Sequence, residues 1–286
     1  MVVTGLCFVA VTAIVKYVGS GLPSSQAAFM RYGLGLVFMV PLLPTMRRNP
    51  PSARDLKLFA LRGAMHTAGV ICWFFAMTQI PIAEVTALNY LSPVYVTIGA
   101  ALFLGETLAM RRITAVVVAL MGALIILRPG VRELQPGHYA MMVTAILFGG
   151  SYLLAKSFSG RMQPSVIVFM LSVTVAIGLA PFAWAVWVRP TLSQVAWLFT
   201  VAAFATTAHY TMTLAFRAAP VTVTQPVTFL QLVWAVALGA LLFNEPVDQW
   251  VVLGGAVILG SVTFITWREA VVRRRSVTPP HVATKV

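Results

Sequence analysis

Charged side chains are scarce in this sequence. Only 9% of the 286 residues are charged, whereas 59% are hydrophobic, and the mean hydropathy is +0.90. A soluble globular protein carries about 25% charged residues, so this composition excludes an ordinary water-soluble domain. A bilayer core about 30 Å thick needs roughly 20 apolar residues for each crossing helix. The chain contains ten such stretches with short connections, which predicts a membrane protein with ten crossings.

Catalytic and metal-binding patterns are also missing. The sequence contains no HExxH pattern, no nucleotide-binding glycine loop and no recognisable set of nucleophile and base. Its two cysteines, Cys7 and Cys72, lie inside apolar stretches without metal-ligand spacing, so we expect them to pack as small hydrophobic residues. We therefore expect no enzymatic activity, no metal and no cofactor, and transport powered by bound ATP is disfavoured.

The positive charge is large but does not indicate binding to nucleic acid. The formal net charge is +13, yet the cations lie between apolar stretches rather than among exposed aromatic residues. If the first helix starts inside, fourteen of the twenty Lys and Arg residues fall on the inner side and four on the outer side. The positive-inside rule then places both termini in the cytoplasm. The chain begins within its first apolar stretch, which indicates a membrane helix rather than a cleaved signal peptide.

The ten apolar stretches divide into two related sets of five. Strand patterns are absent, and a helix satisfies its own backbone hydrogen bonds in lipid, so each stretch is interpreted as an α-helix. Glu106 aligns with Glu245 at an offset of 139 residues, and Lys16 aligns with Lys156 at an offset of 140. Because five is odd, the second set enters the membrane upside down, which predicts an inverted repeat of the transporter type. The predicted helices are 2–18, 25–45, 57–79, 83–104, 110–128, 137–156, 163–188, 193–217, 221–243 and 247–267.

This duplication sets the expected domain bounds. They are a first repeat at 1–130, a second repeat at 137–267 and a basic cytoplasmic tail at 268–286. Glu106 and Glu245 follow equivalent helices, and we interpret each as a cap on the helix that comes next along the chain.

A proline interrupts the fourth helix. Pro93 removes a backbone hydrogen bond at membrane depth, and a broken helix at that depth points to a substrate site. Asn89, Tyr90 and Ser92 surround the break, and Trp73 of the preceding helix offers a stacking surface for a solute. The alternative is a proline kink whose free carbonyl is satisfied by a neighbouring side chain.

Polar residues are more numerous in the second set of helices. Two polar faces on neighbouring helices are expected to line a wet cavity rather than to face lipid. On the eighth helix the face consists of Thr206, His209, Tyr210 and Thr213. On the ninth helix it consists of Thr224, Thr228 and Gln231, with Gln225 beside them, a second helix break at Pro226 and an aromatic wall at Trp234. The alternative for His209 is a hydrogen-bonded packing residue.

Arg31 and Glu84 are the main ionisable candidates. Arg31 lies about six residues, or roughly 9 Å, into the second helix. A cation at such a depth costs about 2.5 kcal/mol or more unless it is paired or faces water. Glu84 opens the fourth helix on the same side, so we expect the two residues to pair or to hold a zwitterionic substrate together. Otherwise Arg31 snorkels to the interface and Glu84 complements the helix dipole.

Five segments carry a family resemblance. They are FMRYGLGLVFMVPLL (29–43), WFFAMTQIPIAEVTALNYLSP (73–93), FLGE (103–106), ALIILRPG (123–130) and ALLFNEP (240–246). Together they resemble the drug/metabolite transporter superfamily, and within it the ten-helix EamA-type carriers, over almost the whole chain. The resemblance implies two five-helix repeats around a central cavity and alternating access in a bacterial inner membrane. The AEVTALNYLSP segment looks most like uptake carriers for S-adenosylmethionine and riboflavin, whereas other EamA-type members export amino acids and other metabolites.

These observations predict an all-α membrane protein of the EamA fold that transports a small organic metabolite. The solute is expected to be an amino acid or a solute derived from an amino acid or nucleoside, moved by secondary active or facilitative transport. An uptake carrier for S-adenosylmethionine or riboflavin is the alternative within the superfamily. The alternatives from other classes are an intramembrane enzyme and a structural membrane protein. Expected partners are lipids, the solute and a coupling proton through Glu84 or His209, and the chain is a monomer or homodimer.

Overall fold

Ten α-helices make up the described part of the protein. The computed structural model describes residues 1–18, 21–42, 44, 51–92, 94–95, 98–99, 110–131, 133–159, 162–218 and 221–277. Over 42, 111–112, 156, 159, 216–218, 221–229, 265–266, 268–270 and 272–277 it describes the helix backbone alone. Within these ranges the elements are all helical. The helices are α1 Val2–Val18, α2 Ser24–Gly35, α3 Ala53–Gln79, α4 Ile82–Asn89, α5 Met110–Leu127, α6 Pro136–Ser159, α7 Pro164–Ala185, α8 Leu192–Ala218, α9 Val221–Phe243 and α10 Gln249–Val277. The predicted all-α fold with ten helices is confirmed.

Local sequence explains where several helices begin. The Ser52 hydroxyl caps α3, because it accepts a hydrogen bond from the backbone N–H of Asp55 at 3.2 Å. Pro164 occupies the first position of α7, where its missing N–H costs nothing and its fixed φ suits a helix. Pro81 precedes α4 in an extended conformation and separates it from α3.

Three helices depart from their predicted course. The regular part of α2 ends at Gly35 and continues as a 3₁₀ helix, Leu36–Leu42, which contains Pro41. The tail predicted to begin at 268 starts as helix, because α10 continues to Val277 through Arg, Glu and Ala residues of high helix propensity. The break predicted at Pro226 is wrong: α9 runs through this residue without interruption. Pro226 lies in the second turn, so only one backbone hydrogen bond near the helix start is lost.

The packing of the helices follows the predicted duplication. Helices α1–α5 form the first half of the bundle, and α6–α10 form the second. Helix α1 contacts α8, and the corresponding helices of the other half, α6 and α3, are also in contact. Likewise α2 contacts α8, and the corresponding helices α7 and α3 are in contact. Helix α2 packs on α7 and α5 packs on α10, so exchanging each helix with the one five places later maps these contacts onto themselves. The opposite orientation of the halves and the repeat bounds stay predictions.

The apolar interior extends across both halves. Phe59 of α3 stacks on Phe158 of α6 with a centroid separation of 4.1 Å, and both rings are fully buried. In the described part of the chain, three helical segments are long and apolar enough to cross a membrane by length and composition: Ala53–Gln79, Pro136–Ala155 and Pro164–Ala185. Shorter apolar segments lie in α1, α5, α9 and α10.

Glycines allow α5 and α10 to approach closely. A Cβ on Gly122 of α5 would lie 2.8 Å from the carbonyl oxygen of Gly254, and a Cβ on Gly254 would meet the Gly122 carbonyl in turn. Both contacts are with backbone, which cannot move aside as a flexible side chain can. The two helices therefore pack through small residues, as membrane helices commonly do.

We expect Gly254→Ala to lower the thermal unfolding temperature of the purified protein, because overpacking at a helix contact costs about 1–3 kcal/mol. Gly260→Ala, in the same helix α10, is the matched control: its Cβ would meet nothing within 4 Å, so the variant should be as stable as wild type or more stable. Equal unfolding temperatures for the two variants would contradict close packing at Gly254.

Candidate functional site

Two arginines lie deep inside the bundle. Arg31 is on α2 and Arg62 is on α3, and each side chain is only 4% exposed. The guanidinium of Arg31 lies over the ring of Tyr32, with its Cζ 3.8 Å from the ring centroid. Arg62 Nη1 donates to the carbonyl oxygen of Ile167 on α7 at 3.2 Å. Sequence analysis singled out Arg31 but missed Arg62, although both interrupt apolar stretches in the same way.

Two histidines lie beside these arginines. His66 follows Arg62 by one helical turn, so both project from the same face of α3. His66 Nδ1 is 3.1 Å from the hydroxyl of Ser151, which makes the imidazole a hydrogen-bonded group between the two halves. The ring of His209, on α8, lies 6.0 Å from that of His66. We refer to Arg31, Arg62, His66 and His209 as the Arg–His cluster.

The Arg–His cluster is a region of positive potential. Arg31, Arg62 and His209 lie close enough to His66 to act on it electrostatically, and both arginines act on His209. In the part of the chain that the structure describes, neither arginine forms a salt bridge, and Arg31 Nη1 and Arg62 Nε are buried without a hydrogen-bond partner. The cluster therefore combines buried positive charge with unused donors.

Aromatic residues of α3 and α6 border the cluster. Phe148 of α6 stacks on His66 with a centroid separation of 4.6 Å. Trp73 is buried and meets the same Phe148 at 6.0 Å, so it lies near the cluster, and its role as a stacking surface for a solute stays a prediction. Phe8 of α1 meets His209 edge-on at 5.3 Å. These rings give the cluster an apolar wall.

The polar face predicted on α8 is divided in the structure. His209 is buried in the cluster, and Thr206 is half-buried against α2, where a Cβ on Gly35 would lie 3.4 Å from its hydroxyl. Thr213 donates back to the His209 carbonyl of its own helix at 2.7 Å. Tyr210 is 43% exposed, so it lies on the surface of the bundle rather than in the cluster. Its contact with solute stays a prediction.

Two of the α9 candidates are described with their side chains. Gln231 is half-buried against α1, where a Cβ on Gly5 would lie 3.5 Å from its Cβ. Trp234 is 41% exposed. The side chains of Gln225, Pro226 and Thr228 lie outside the described part, and their predicted contact with solute is untested.

The region before Pro93 departs from regular helix, as predicted. Helix α4 ends at Asn89, and the backbone N–H groups of Tyr90 and Leu91 donate to carbonyls three residues back. The Ser92 hydroxyl donates to the side-chain oxygen Oδ1 of Asn89 at 3.4 Å, so this contact does not satisfy the backbone carbonyl considered in the alternative. Tyr90 is buried and hydrogen-bonds to the backbone of Leu232 on α9. Pro93 itself lies outside the described residues.

Glu84 does not pair with Arg31. Its Oε2 is 2.6 Å from Nε2 of His138, at the start of α6, and both side chains are buried. The expectation of an Arg31–Glu84 pair is therefore wrong. The reason is tertiary: the start of α4 packs against α6, whereas Arg31 faces α3 and α8 from the interior of α2. Sequence reasoning did not single out His138.

Two further acid–base pairs join the halves. Lys16, near the end of α1, forms a salt bridge with Glu245, and Arg128, directly after α5, forms one with Asp248. With Glu84–His138 they make three inter-half acid–base pairs. The three carboxylates line one pocket of about 130 Å³ at the ends of these helices, together with Pro81, Ala83, Val236, Pro246, Val247 and Val251.

Glu245 also caps a helix, but not the predicted one. Its Oε2 accepts the backbone N–H of Ile82, the first residue of α4, at 3.0 Å. Glu245 was expected to cap α10, which follows it along the chain. In the structure the carboxylate turns to the helix start in the other half, where it also meets Lys16. Glu106 lies outside the described residues.

Comparison with known proteins agrees with this architecture. The family model described as the EamA-like transporter family matches residues 1–128 and 135–267. The chain belongs to this family. The EamA chain is thus a member of the drug/metabolite transporter superfamily and a multi-pass membrane protein. A solved crystal structure aligns with this EamA fold at a TM-score of 0.59, with 17% identity, covering 96% of this chain and 99% of the other.

Several curated relatives of the EamA chain are transporters by name. A riboflavin transporter of Vibrio cholerae is 31% identical over 284 residues, which cover 96% of this chain and 94% of the relative. An S-adenosylmethionine uptake transporter of Rickettsia bellii is 25% identical over 254 residues, which cover 89% and 87%. A pseudopaline exporter of Pseudomonas aeruginosa is 25% identical over 260 residues, which cover 90% and 91%.

We expect Lys16→Met and Glu245→Gln to be strongly non-additive in thermal unfolding. Removing either partner leaves the other unpaired, so the double variant should be less destabilised than the sum by about 0.5–3 kcal/mol. Lys57→Met removes an exposed lysine of α3 and is the matched control, and it should add independently to Glu245→Gln. Simple additivity of Lys16→Met and Glu245→Gln would show that the salt bridge contributes nothing.

Proposed function

We propose that this chain is a carrier that moves a small organic metabolite across the inner membrane, by secondary active or facilitative transport. The Arg–His cluster is the observation that carries the proposal. It brings polar side chains of α2 and α3 from the first half together with those of α6 and α8 from the second. Ionisable residues inside membrane helices are expensive and commonly mark the path of a substrate or ion.

The solute is an amino acid, or a compound derived from an amino acid or nucleoside. A site with charged donors on one side and buried rings on the other suits a solute that has both a polar group and a flat or apolar part. The names of the relatives, which include an uptake transporter for S-adenosylmethionine and a riboflavin transporter, support the same range of solutes. An uptake carrier for either compound is the second candidate. The relatives include an exporter as well, so direction is left to measurement.

Alternating access is the mechanism we propose. The three inter-half acid–base pairs tie the halves together around one pocket at one end of the bundle. Opening that end would break these pairs. Binding of solute in the cluster would help to stabilise the arrangement in which that end is open. In the orientation expected from the Lys and Arg distribution, both termini are cytoplasmic and the paired end faces outward. The cluster is built by one chain, which supports a functional monomer, with a homodimer as the alternative.

Flux of a labelled solute into proteoliposomes tests the carrier function. We expect His209→Phe and Gln231→Leu each to lower the initial rate about tenfold, because each loses a polar contact worth about 1 kcal/mol or more. Thr114→Val, which removes an exposed hydroxyl on α5, is the control and should transport like wild type. If wild type moves none of the amino acids, nucleosides, flavins or S-adenosylmethionine while remaining folded, the carrier proposal fails.

Proton coupling gives a second test, centred on the buried Glu84–His138 pair. With an imposed pH gradient, wild type should accumulate solute above equilibrium, whereas Glu84→Gln should lose accumulation. The same variant should keep solute exchange at equal pH, because exchange needs no net proton movement. Accumulation by Glu84→Gln equal to that of wild type would exclude Glu84 as the coupling group. Loss of exchange as well would assign Glu84 to folding or gating.

A further inference from the structure

Arg31 and Arg62 present a charge problem that the described part of the protein does not solve. Both guanidiniums are nine-tenths or more buried, and a guanidinium stays protonated in proteins. The described carboxylates that are buried or partly buried are engaged elsewhere: Glu84 with His138, Glu245 with Lys16, Asp248 with Arg128 and Asp55 with the Ser52 hydroxyl. A buried cation without a counter-charge is strongly unfavourable. An anion that enters with the solute would supply this charge.

We propose that Arg31 and Arg62 form an oxyanion-binding subsite for the transported solute. The inference rests on the carrier function proposed above and specifies the chemical class of its solute. A guanidinium presents its N–H donors in a planar fork that fits the two oxygens of a carboxylate or phosphate. Arg31 Nη1 and Arg62 Nε are the unused donors that such a group would engage.

The existing contacts of the two arginines do not account for their burial. Arg62 Nη1 donates to the Ile167 carbonyl, and the Arg31 guanidinium lies over the Tyr32 ring. Each guanidinium has five N–H donors, so one contact of this kind leaves most of its capacity unused. A carbonyl and a phenol ring also carry no net negative charge. Anchoring of the helices by these contacts therefore explains only part of the burial of the two arginines.

The surroundings of the arginines indicate the rest of the solute. His66 and Phe148 form a stacked pair, and Trp73 meets Phe148 from the same helix as His66. Rings at this position favour contact with a flat or apolar group, as in most small-molecule sites. The solute class is therefore an oxyanion joined to a ring or an apolar chain.

Two matched pairs of probes test the subsite on the purified full-length protein. S-adenosylmethionine is compared with its carboxamide, and flavin mononucleotide with riboflavin, so that each pair differs in one oxyanion. Binding is followed by the shift in thermal unfolding temperature across a concentration series. We expect the oxyanion-bearing member of one pair to bind about 10- to 100-fold more tightly than the member that lacks the oxyanion, since hydrogen bonds to charged groups are the strong ones. The pair that responds distinguishes carboxylate from phosphate.

Substitutions assign the preference to the two arginines. Arg31→Gln and Arg62→Gln should each remove the difference within the responding pair, whereas Arg31→Lys should keep part of it because the charge remains. Without any probe, both Gln variants should unfold at or above the wild-type temperature, because each removes an uncompensated buried charge. Arg189→Gln, on the exposed loop between α7 and α8, is the matched control and should behave as wild type throughout.

Several results would overturn the subsite. They are equal binding within both pairs, binding only of the members that lack the oxyanion, no binding of either oxyanion, and an unchanged preference in the Gln variants. Marked destabilisation of both Gln variants would also overturn it, because the guanidiniums would then be structural. Flux separates this proposal from the carrier function. Flux of the oxyanion-bearing probe that the Gln variants leave unchanged would keep the carrier and remove the subsite, whereas oxyanion binding without flux of any probe would do the reverse.

Discussion

A polar group inside a membrane has no water to bond with, so its partner has to come from the protein or from a bound solute. This constraint accounts for most of the polar contacts in the structure. Thr213 donates to its own helix, His66 meets a serine from the other half, and Glu84 meets His138. Where the protein supplies the partner, the contact holds helices together. At Arg31 Nη1 and Arg62 Nε no group in the described part of the chain supplies the partner, and the proposed anion subsite rests on these two donors.

The polar groups therefore divide by location. At the ends of α1, α5 and α9 and the starts of α4, α6 and α10, acids and bases are paired, and each pair joins one half of the bundle to the other. In the interior, the Arg–His cluster carries positive charge with unused donors. A carrier needs closure of one end to be linked to occupation of its centre. Acid–base pairs at one end, together with positive charge in the interior that no described carboxylate balances, would provide such a link.

Sequence analysis predicted the helices well, because a long apolar stretch in a membrane has few alternatives to helix. It also predicted irregular backbone near Asn89, since proline disturbs the helix locally. The partners of polar side chains on other helices were harder to predict from the sequence. Glu84 was expected near Arg31 because both lie toward the same membrane side, but the packing of α4 on α6 brings His138 to it instead. Glu245 was expected to cap its neighbour in sequence and caps α4.

Packing between helices also limited the prediction of candidate site residues. Helical spacing grouped His209 with Thr206, but the same face includes Tyr210, which lies at the surface because a face is wider than a single contact. Arg62 was counted among the cations without being recognised as a site residue, although its place in an apolar stretch was as informative as that of Arg31. A charge inside a hydrophobic run is the signal that should have found it.

The two buried guanidiniums have an electrical consequence for the transport cycle. An unloaded carrier would take two uncompensated positive charges through the rearrangement, and a membrane potential acts on each with about 2.3 kcal/mol per 100 mV for a full crossing. A bound anion neutralises part of that charge. The loaded form would then reorient more freely than the empty one, which favours counter-exchange of solutes over one-way leakage and makes the empty return step sensitive to voltage.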